Sequence, residues 1–428
     1  MSDSWESIKR LIRFPAFWLS ALFLIYISIQ SFNPSIIVVR GEAGWWVEAR
    51  PAAIANWLPS GVKADFSQMN AFRVLEFFAA SFLLMWGMWI GLSRRTSALI
   101  ILWTLILSGS LMGFVAILQH LTGAEKVLGL YVSANEHFWG SFFYRNQGAA
   151  YLNLIMVAAA FLYFYYSKRA EVHGHQGGPH MLLFILIALT GVSVATALSR
   201  GGIIFGSVIL CGFMTLVFLQ KLMHFFKDRG SWKIAAFTGL LFVLAGVALA
   251  TQVDTDAIQE RFGDVEATVE NADEDARYLS SKATWDMAQD NLWLGWGAGS
   301  FRYIFPIYQQ KYPELLYTRY HKKRGWIGRK VYHYAHNDIF QFLAEYGVIG
   351  CAFLVGSLCC GMYQVLAGVG HNFPAACIIL VGLIAALGHA FFDFILNSPA
   401  YWIAFVGLLT LASKLFSLTR HYSKKYTS

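Results

Sequence analysis

Apolar blocks of about 17–25 residues recur along this chain, and each is long enough to cross a bilayer as a helix. They fall near 15–32, 71–92, 97–119, 148–167, 181–198, 202–220, 234–251, 338–363, 374–395 and 399–415, which predicts ten spanning helices. Short or tilted helices, or the apolar patch at 36–39, would raise the count to as many as twelve. A soluble domain carries roughly 25% charged residues, whereas this chain has 14% charged and 57% hydrophobic residues. The expected fold class is an all-α polytopic membrane protein.

Short segments rich in Lys and Arg stay on the cytoplasmic side of a membrane. Lys9, Arg10 and Arg13 precede the first block; Arg94, Arg95, Lys168, Arg169, Lys221, Lys227, Arg229 and Lys233 lie in later connections. Lys414, Arg420, Lys424 and Lys425 close the chain. All fall on one side of a ten-helix arrangement, so both termini are expected in the cytoplasm. The loop around Gly368 and Gly370 is the exception, with no Lys or Arg. The net charge of +8 is then mostly a topology signal and requires no nucleic-acid partner. Three longer segments lie outside: 33–70, 120–147 and 252–337. The expected organisation is N-terminal spanning helices over 1–251, a periplasmic loop domain over 252–337, and C-terminal spanning helices over 338–428. The five Cys lie in or beside apolar blocks and show neither a disulfide framework nor zinc spacing.

The large loop has two electrical halves. Nine acids stand between Asp254 and Asp275 against one base, Arg261. From Arg302 to Lys330 the balance reverses, with Arg319, Lys322, Lys323 and Arg324 at its centre and Tyr317, Tyr320, Trp326 and Tyr332 interleaved. A basic, aromatic-rich patch beside a membrane suits an anionic lipid headgroup or a sugar phosphate; a solvated surface resting on ordinary anionic lipid is the plainer reading. The triplets Asp254-Thr255-Asp256 and Asp273-Glu274-Asp275 have the chemistry for Mg²⁺, but such pairs arise by chance in so acidic a run, and no metal is expected. The run from Leu294 to Phe301 alternates Gly and offers N–H groups suited to phosphate. A tight turn packed at the membrane surface explains it equally well.

His336 precedes a helix carrying Asp338, Gln341 and Glu345 on one stripe. A polar stripe in an apolar helix faces a bundle interior or a wet cavity. Histidine takes a proton near neutral pH, so His336 is a candidate base as well as a candidate structural group. Arg200 ends one apolar block, and Gly201-Gly202 suggest a tight turn or broken helix. Its guanidinium either holds phosphate or reaches the outer interface. Arg145, in Arg145-Asn146-Gln147, presents the same choice. His389 and Asp393, four apart, are expected as a buried pair on one helix face.

The chain resembles the O-antigen ligase and polymerase superfamily of bacterial envelope glycosyltransferases. The resemblance rests on Gly140-Ser141-Phe142-Phe143 to Asn146, Leu198-Ser199-Arg200-Gly201-Gly202, Arg277 with Trp285, the run from Leu294 to Phe301, and His336-Asn337 with Gly347-Val348-Ile349-Gly350. It covers about 140–350, and Trp57-Leu58-Pro59-Ser60 adds to it. It implies a GT-C-like fold with a large, partly helical periplasmic loop in the inner membrane. It also implies an undecaprenyl-diphosphate-linked glycan donor, an acceptor such as lipid A–core, and transfer without metal or other cofactor. His336 takes the place of the general base, and Arg200 and Arg277 that of the diphosphate-binding arginines. Arg145 and Arg302 are counted with these as diphosphate contacts. Arg319, Lys322, Lys323 and Arg324 form the acceptor or anionic-lipid patch. A polymerase of the same superfamily and a protein O-oligosaccharyltransferase share this donor chemistry. A flippase or transporter would instead predict repeat symmetry and charges in mid-membrane, which the sequence lacks.

Overall fold

The computed structural model describes residues 2–42, 44–65, 67–133, 137–172, 174, 178–227, 276–321 and 325–427. The expected helix at 234–251 and both acidic triplets lie outside these residues. Thirteen helices are described, in chain order. They are α1 (Ser2–Ile12), α2 (Pro15–Phe32), α3 (Ala71–Gly91), α4 (Arg95–Leu121), α5 (Arg145–Val172), α6 (His180–Thr196), α7 (Arg200–Lys227), α8 (Ala276–Asp290), α9 (Phe301–Gln309), α10 (Pro313–Leu316), α11 (Asp338–Leu366), α12 (Phe373–Phe392) and α13 (Pro399–Thr427). Among the described residues eight helices are long and apolar enough to cross a membrane, and α6 is a shorter apolar helix of 17 residues. The protein is a multi-pass membrane protein, mostly helical.

The patch at 36–39 is not a hidden helix. It lies in β1 (Pro34–Gly41), which pairs antiparallel with β2 (Gly44–Ala49) and parallel with β3 (Gly61–Lys63). The run Ile36-Ile37-Val38-Val39 is β-branched throughout, which favours strand over helix. Two further hairpins are β4 (Lys126–Val127) with β5 (Tyr131–Val132), and β6 (Tyr317–His321) with β7 (Gly325–Arg329).

The chain forms two compact units, each drawn from several stretches of sequence. The first comprises Met1–Gly91, Ala267–Gly361 and Ala390–Val406. Its spanning part packs on aromatic edges: Phe78 meets Phe23, Tyr346 and Trp402 at ring-centroid distances of 5.0, 6.0 and 5.4 Å. Above it a globular-type core joins Val62, Met287, Phe301, Phe305 and Leu315 to Ala344 of α11. The second comprises Leu92–Glu266, Met362–His389 and Gly407–Ser428. Its centre is α5, whose apolar window is 89% buried. A helix apolar on every face belongs inside a bundle, and α5 packs against α4, α6 and α7.

Candidate functional site

In the first unit the site is built around the start of α11. Asn337 caps the helix, its Oδ1 accepting the Phe340 N–H at 3.0 Å. His336, one residue earlier, has φ +57°, a left-handed conformation unfavourable for a residue with a Cβ. The preceding residue is pinned on both sides. The Ala335 N–H donates to Gln341 Oε1 at 3.0 Å, and the Ala335 carbonyl accepts from the Ser280 hydroxyl of α8 at 3.0 Å. The surrounding bonds therefore hold His336 where its own preference would not.

The His336 ring packs edge-on against Phe394, and its Nδ1 faces Asp393 Oδ1 at 3.6 Å. Asp393 is buried, and its carboxylate also accepts the Phe394 N–H. His389 and Asp393 are both buried, as expected, and Asp393, just past the end of α12 at Phe392, faces His336 as well. His389, within the second unit, stacks on Phe205 at 5.5 Å.

The polar stripe of α11 is fully engaged in holding loops. Asp338 accepts from the Leu396 N–H and the Asn397 amide, both at 2.6 Å. Glu345 accepts the Gly299 and Phe301 N–H groups at 3.2 Å and the Gln341 amide at 3.3 Å. The Ala298 N–H goes to Gln30 Oε1 at 3.1 Å, and the Gly297 N–H to the Glu345 carbonyl at 2.9 Å. The glycine-rich run thus has no N–H groups to spare at 297–299 for phosphate; a buried carboxylate already occupies that place. The run is a dock. Gly347, with φ +62° and ψ −176°, breaks α11, and Gly295 lies directly against the break. A side chain at either glycine would collide with backbone of the other segment.

Arg277 is exposed in the first turn of α8, one turn before the Ser280 that holds Ala335. Arg302 opens α9 and donates to His333 Nδ1 at 2.8 Å. Arginine only donates, so His333 Nδ1 must be unprotonated there. Burial, and secondly the Arg302 charge, push the His333 imidazole below its ordinary range, in keeping with that bond. Burial raises the Tyr334 phenol. Arg319 lies in β6, its backbone paired with Ile327, while Lys322, Lys323 and Arg324 lie outside the described residues.

In the second unit Ser199-Arg200-Gly201-Gly202 is a helix start. Ser199 is the cap, its Oγ accepting the Gly202 N–H at 3.1 Å, and Arg200 is the first helical residue. The turn lies earlier, at Leu198, with φ +50°. The Gly pair is therefore not the turn or break expected of it but a packing device. Gly202 lies against Ala149 of α5, and its carbonyl accepts from Asn153 at 2.9 Å. The first turns of α5 and α7 are thereby side by side, which brings Arg145 and Arg200 to one end of this unit. A cavity of about 340 Å³ opens there, lined by Gln119, His120, His137, Trp139, Arg145 and Leu198. Among the described residues no cluster of His, Cys, Asp or Glu has the makings of a metal site.

Residues 182–355 match the family model for O-antigen ligase. Over that segment the chain is similar to the O-antigen ligases. No curated protein matches the chain. The O-antigen ligase match includes Arg200, Arg277, Arg302 and His336 and begins after Arg145. It supports a ligase- or polymerase-type activity on glycan and lipid-linked substrates in a multi-pass membrane protein. Sequence reasoning missed Asp393 as the partner of His336, and also His333. Nothing local marks either, because their partners lie 57 and 31 positions away in the chain.

Proposed function

We propose that the chain is an O-antigen-ligase-like glycosyltransferase. It moves a finished glycan from an undecaprenyl-diphosphate carrier to a hydroxyl of lipid A–core, at the periplasmic face of the inner membrane. The observation that carries this reading is His336, left-handed, bonded in place through Ala335, and facing buried Asp393, inside the matched segment. With Asp393 beside Nδ1, the Nε2 nitrogen is the one left for substrate. It accepts the proton of the acceptor hydroxyl as the oxygen attacks the anomeric carbon. The bond from that carbon to the diphosphate breaks, and the diphosphate leaves with its electrons. Asp393 steadies the resulting imidazolium and fixes the ring, as an orienting carboxylate does elsewhere.

Arg200, Arg277 and Arg145 are assigned to the departing diphosphate, whose growing charge they stabilise; Arg302, expected among them, lines a separate cavity with Arg73 and His333 and is left out of that set. Arg200 carries a specific argument. A cation in the first turn opposes the positive end of the α7 dipole, and an anion bound there relieves both. The donor is already activated, so the reaction asks for no nucleotide. The Lys and Arg distribution supports cytoplasmic termini and an outward-facing site. The basic stretch 319–324 favours a phosphorylated acceptor.

The test is the envelope glycan of a strain lacking the gene, complemented with wild type or His336→Ala. A ligase predicts loss of lipid A–core-linked glycan with retention of the carrier-linked form, restored by wild type alone. A change of chain length with attachment intact would replace this reading by a polymerase.

A further inference from the structure

The first unit contains a second cavity that the transfer chemistry does not use. Its volume is about 160 Å³, below the roughly 300–1,000 Å³ of pockets for drug-sized ligands. The rim carries Arg73, Arg302 and His333; the wall is aromatic, with Phe78, Phe342 and Tyr346. Arg73 is exposed in the first turn of α3, and nothing in the family resemblance points to it.

Three features give the cavity its sign. First, its lining comes from the N-terminal ends of four helices: Arg73 from α3, Phe301 and Arg302 from α9, Gln341 from α11, and Pro399 from α13. Each such end carries partial positive charge. Second, Glu345 is the sole carboxylate in the lining, and it is consumed by the Gly299 and Phe301 N–H groups and the Gln341 amide. Third, among the described residues neither arginine is in an ion pair, and Arg302 rests on a neutral ring nitrogen instead. Arg302 Nε is buried without a hydrogen-bond partner among the described residues. A cation whose side-chain partners are an uncharged imidazole and the Tyr303 hydroxyl gains from an anionic one.

We propose that this cavity binds a phosphomonoester, with the phosphoryl group between Arg73 and Arg302 and the ring or chain that bears it against the aromatic wall. The guanidinium fork matches phosphate oxygens in pairs. The volume admits a phosphoryl group and part of one sugar ring or glycerol unit, and excludes a whole lipid. Set beside the proposed function, the phosphate belongs to the acceptor, and the site gives the enzyme a grip on it separate from the diphosphate arginines. Only that attribution rests on the proposed function; the anion site does not.

The experiment is binding to the purified full-length chain, with no transfer involved. Glucose 6-phosphate is titrated against glucose in detergent. In parallel, thermal stability is compared in nanodiscs of phosphatidylcholine with and without phosphatidic acid. We expect a phosphate-dependent gain in at least one arm: the soluble sugar phosphate marks a site open to water, phosphatidic acid alone marks a lipid headgroup site. Arg73→Gln and Arg302→Gln should each weaken that binding about tenfold or more, the factor one charge-assisted hydrogen bond is worth. Arg302→Lys, which keeps the charge and the helix start, should recover part of it. His336→Ala should bind as wild type, which separates this site from the transfer chemistry. No phosphate-dependent binding in either arm, or binding unchanged in both Gln variants, overturns the proposal.

Discussion

The mouths of α11 and α7 are built by the same local device and used in opposite ways. In each, a left-handed residue comes just before the cap: His336 at φ +57° before Asn337, Leu198 at φ +50° before Ser199. In each, the cap side chain takes the third N–H of the helix, at 3.0 and 3.1 Å. The first helical residue then differs. Asp338 suits the positive end of the helix dipole and is satisfied by the loop residues Leu396 and Asn397. Arg200 opposes the dipole. One mouth opens on a carboxylate bonded to a loop and displays a histidine; the other opens on a cation. A strained turn that recurs at two candidate sites is a positioning device, and the chemistry lies in which residue it presents.

The largest expected effect breaks the comparison at the left-handed positions. His336→Asn keeps a residue that tolerates this conformation and removes the base. Transfer by the purified protein should fall about 10²–10⁴-fold, with the melting temperature unchanged. Wild-type turnover in this variant would reduce His336 to the structural role that Leu198 has. Next comes Arg200→Glu, in which stability and activity should part company. Charge complementarity with the dipole is worth about 0.3–1 kcal/mol, so the helix start should hold or tighten. The loss of diphosphate stabilisation should still cost about 10²–10³ in rate. Parallel loss of melting temperature and rate would mean that Arg200 serves packing.

Glu345→Ala tests the α11 side. It leaves the buried Gly299 and Phe301 N–H groups without their acceptor, at a cost of about 1–3 kcal/mol each. A lowered melting temperature with the turnover per folded molecule largely kept is the expected result. A selective loss of turnover would make Glu345 part of the chemistry.

His333 gives a smaller, pH-dependent effect. Its folded imidazole titrates below its ordinary range because of burial, then Arg302. The unfolded chain therefore takes up a proton that the folded one refuses. Stability should fall as pH drops through about 6.5 toward the lower folded value. His333→Gln still accepts from Arg302 and should flatten that slope in a melting series from pH 7.5 to 5. The smallest effect is Leu198→Gly. Glycine removes a left-handed penalty of about 1–2 kcal/mol but adds freedom to the unfolded chain. The net change should be near zero, with transfer intact.

Much of this was legible in the sequence, and the reason differs by residue. The spanning helices follow from the mean hydropathy of single stretches, so they survive any packing. His336, Arg200 and Arg277 stand in short motifs whose order along the chain carries the resemblance. The glycine-rich run was ambiguous because its backbone suits phosphate and close packing alike; the Glu345 carboxylate, 46 residues from Gly299, decides for packing. The Ser199-Arg200-Gly201-Gly202 stretch reads as a turn because Gly is common in turns. The Ser199 cap and the contact with Ala149 make it the start of a helix.

What the sequence determined by itself is the class of protein, most of its spanning segments and the candidate base, because these depend on local composition and short-range order. What only the tertiary structure decided is which polar groups are already spoken for. Asp338 and Glu345 share a helix stripe with no sign of their partners, and Asp393 gives no sign that it faces His336. Those outcomes depend on loops distant in sequence reaching the same helix mouth, where burial makes an unpaired polar group costly enough to fix every partner.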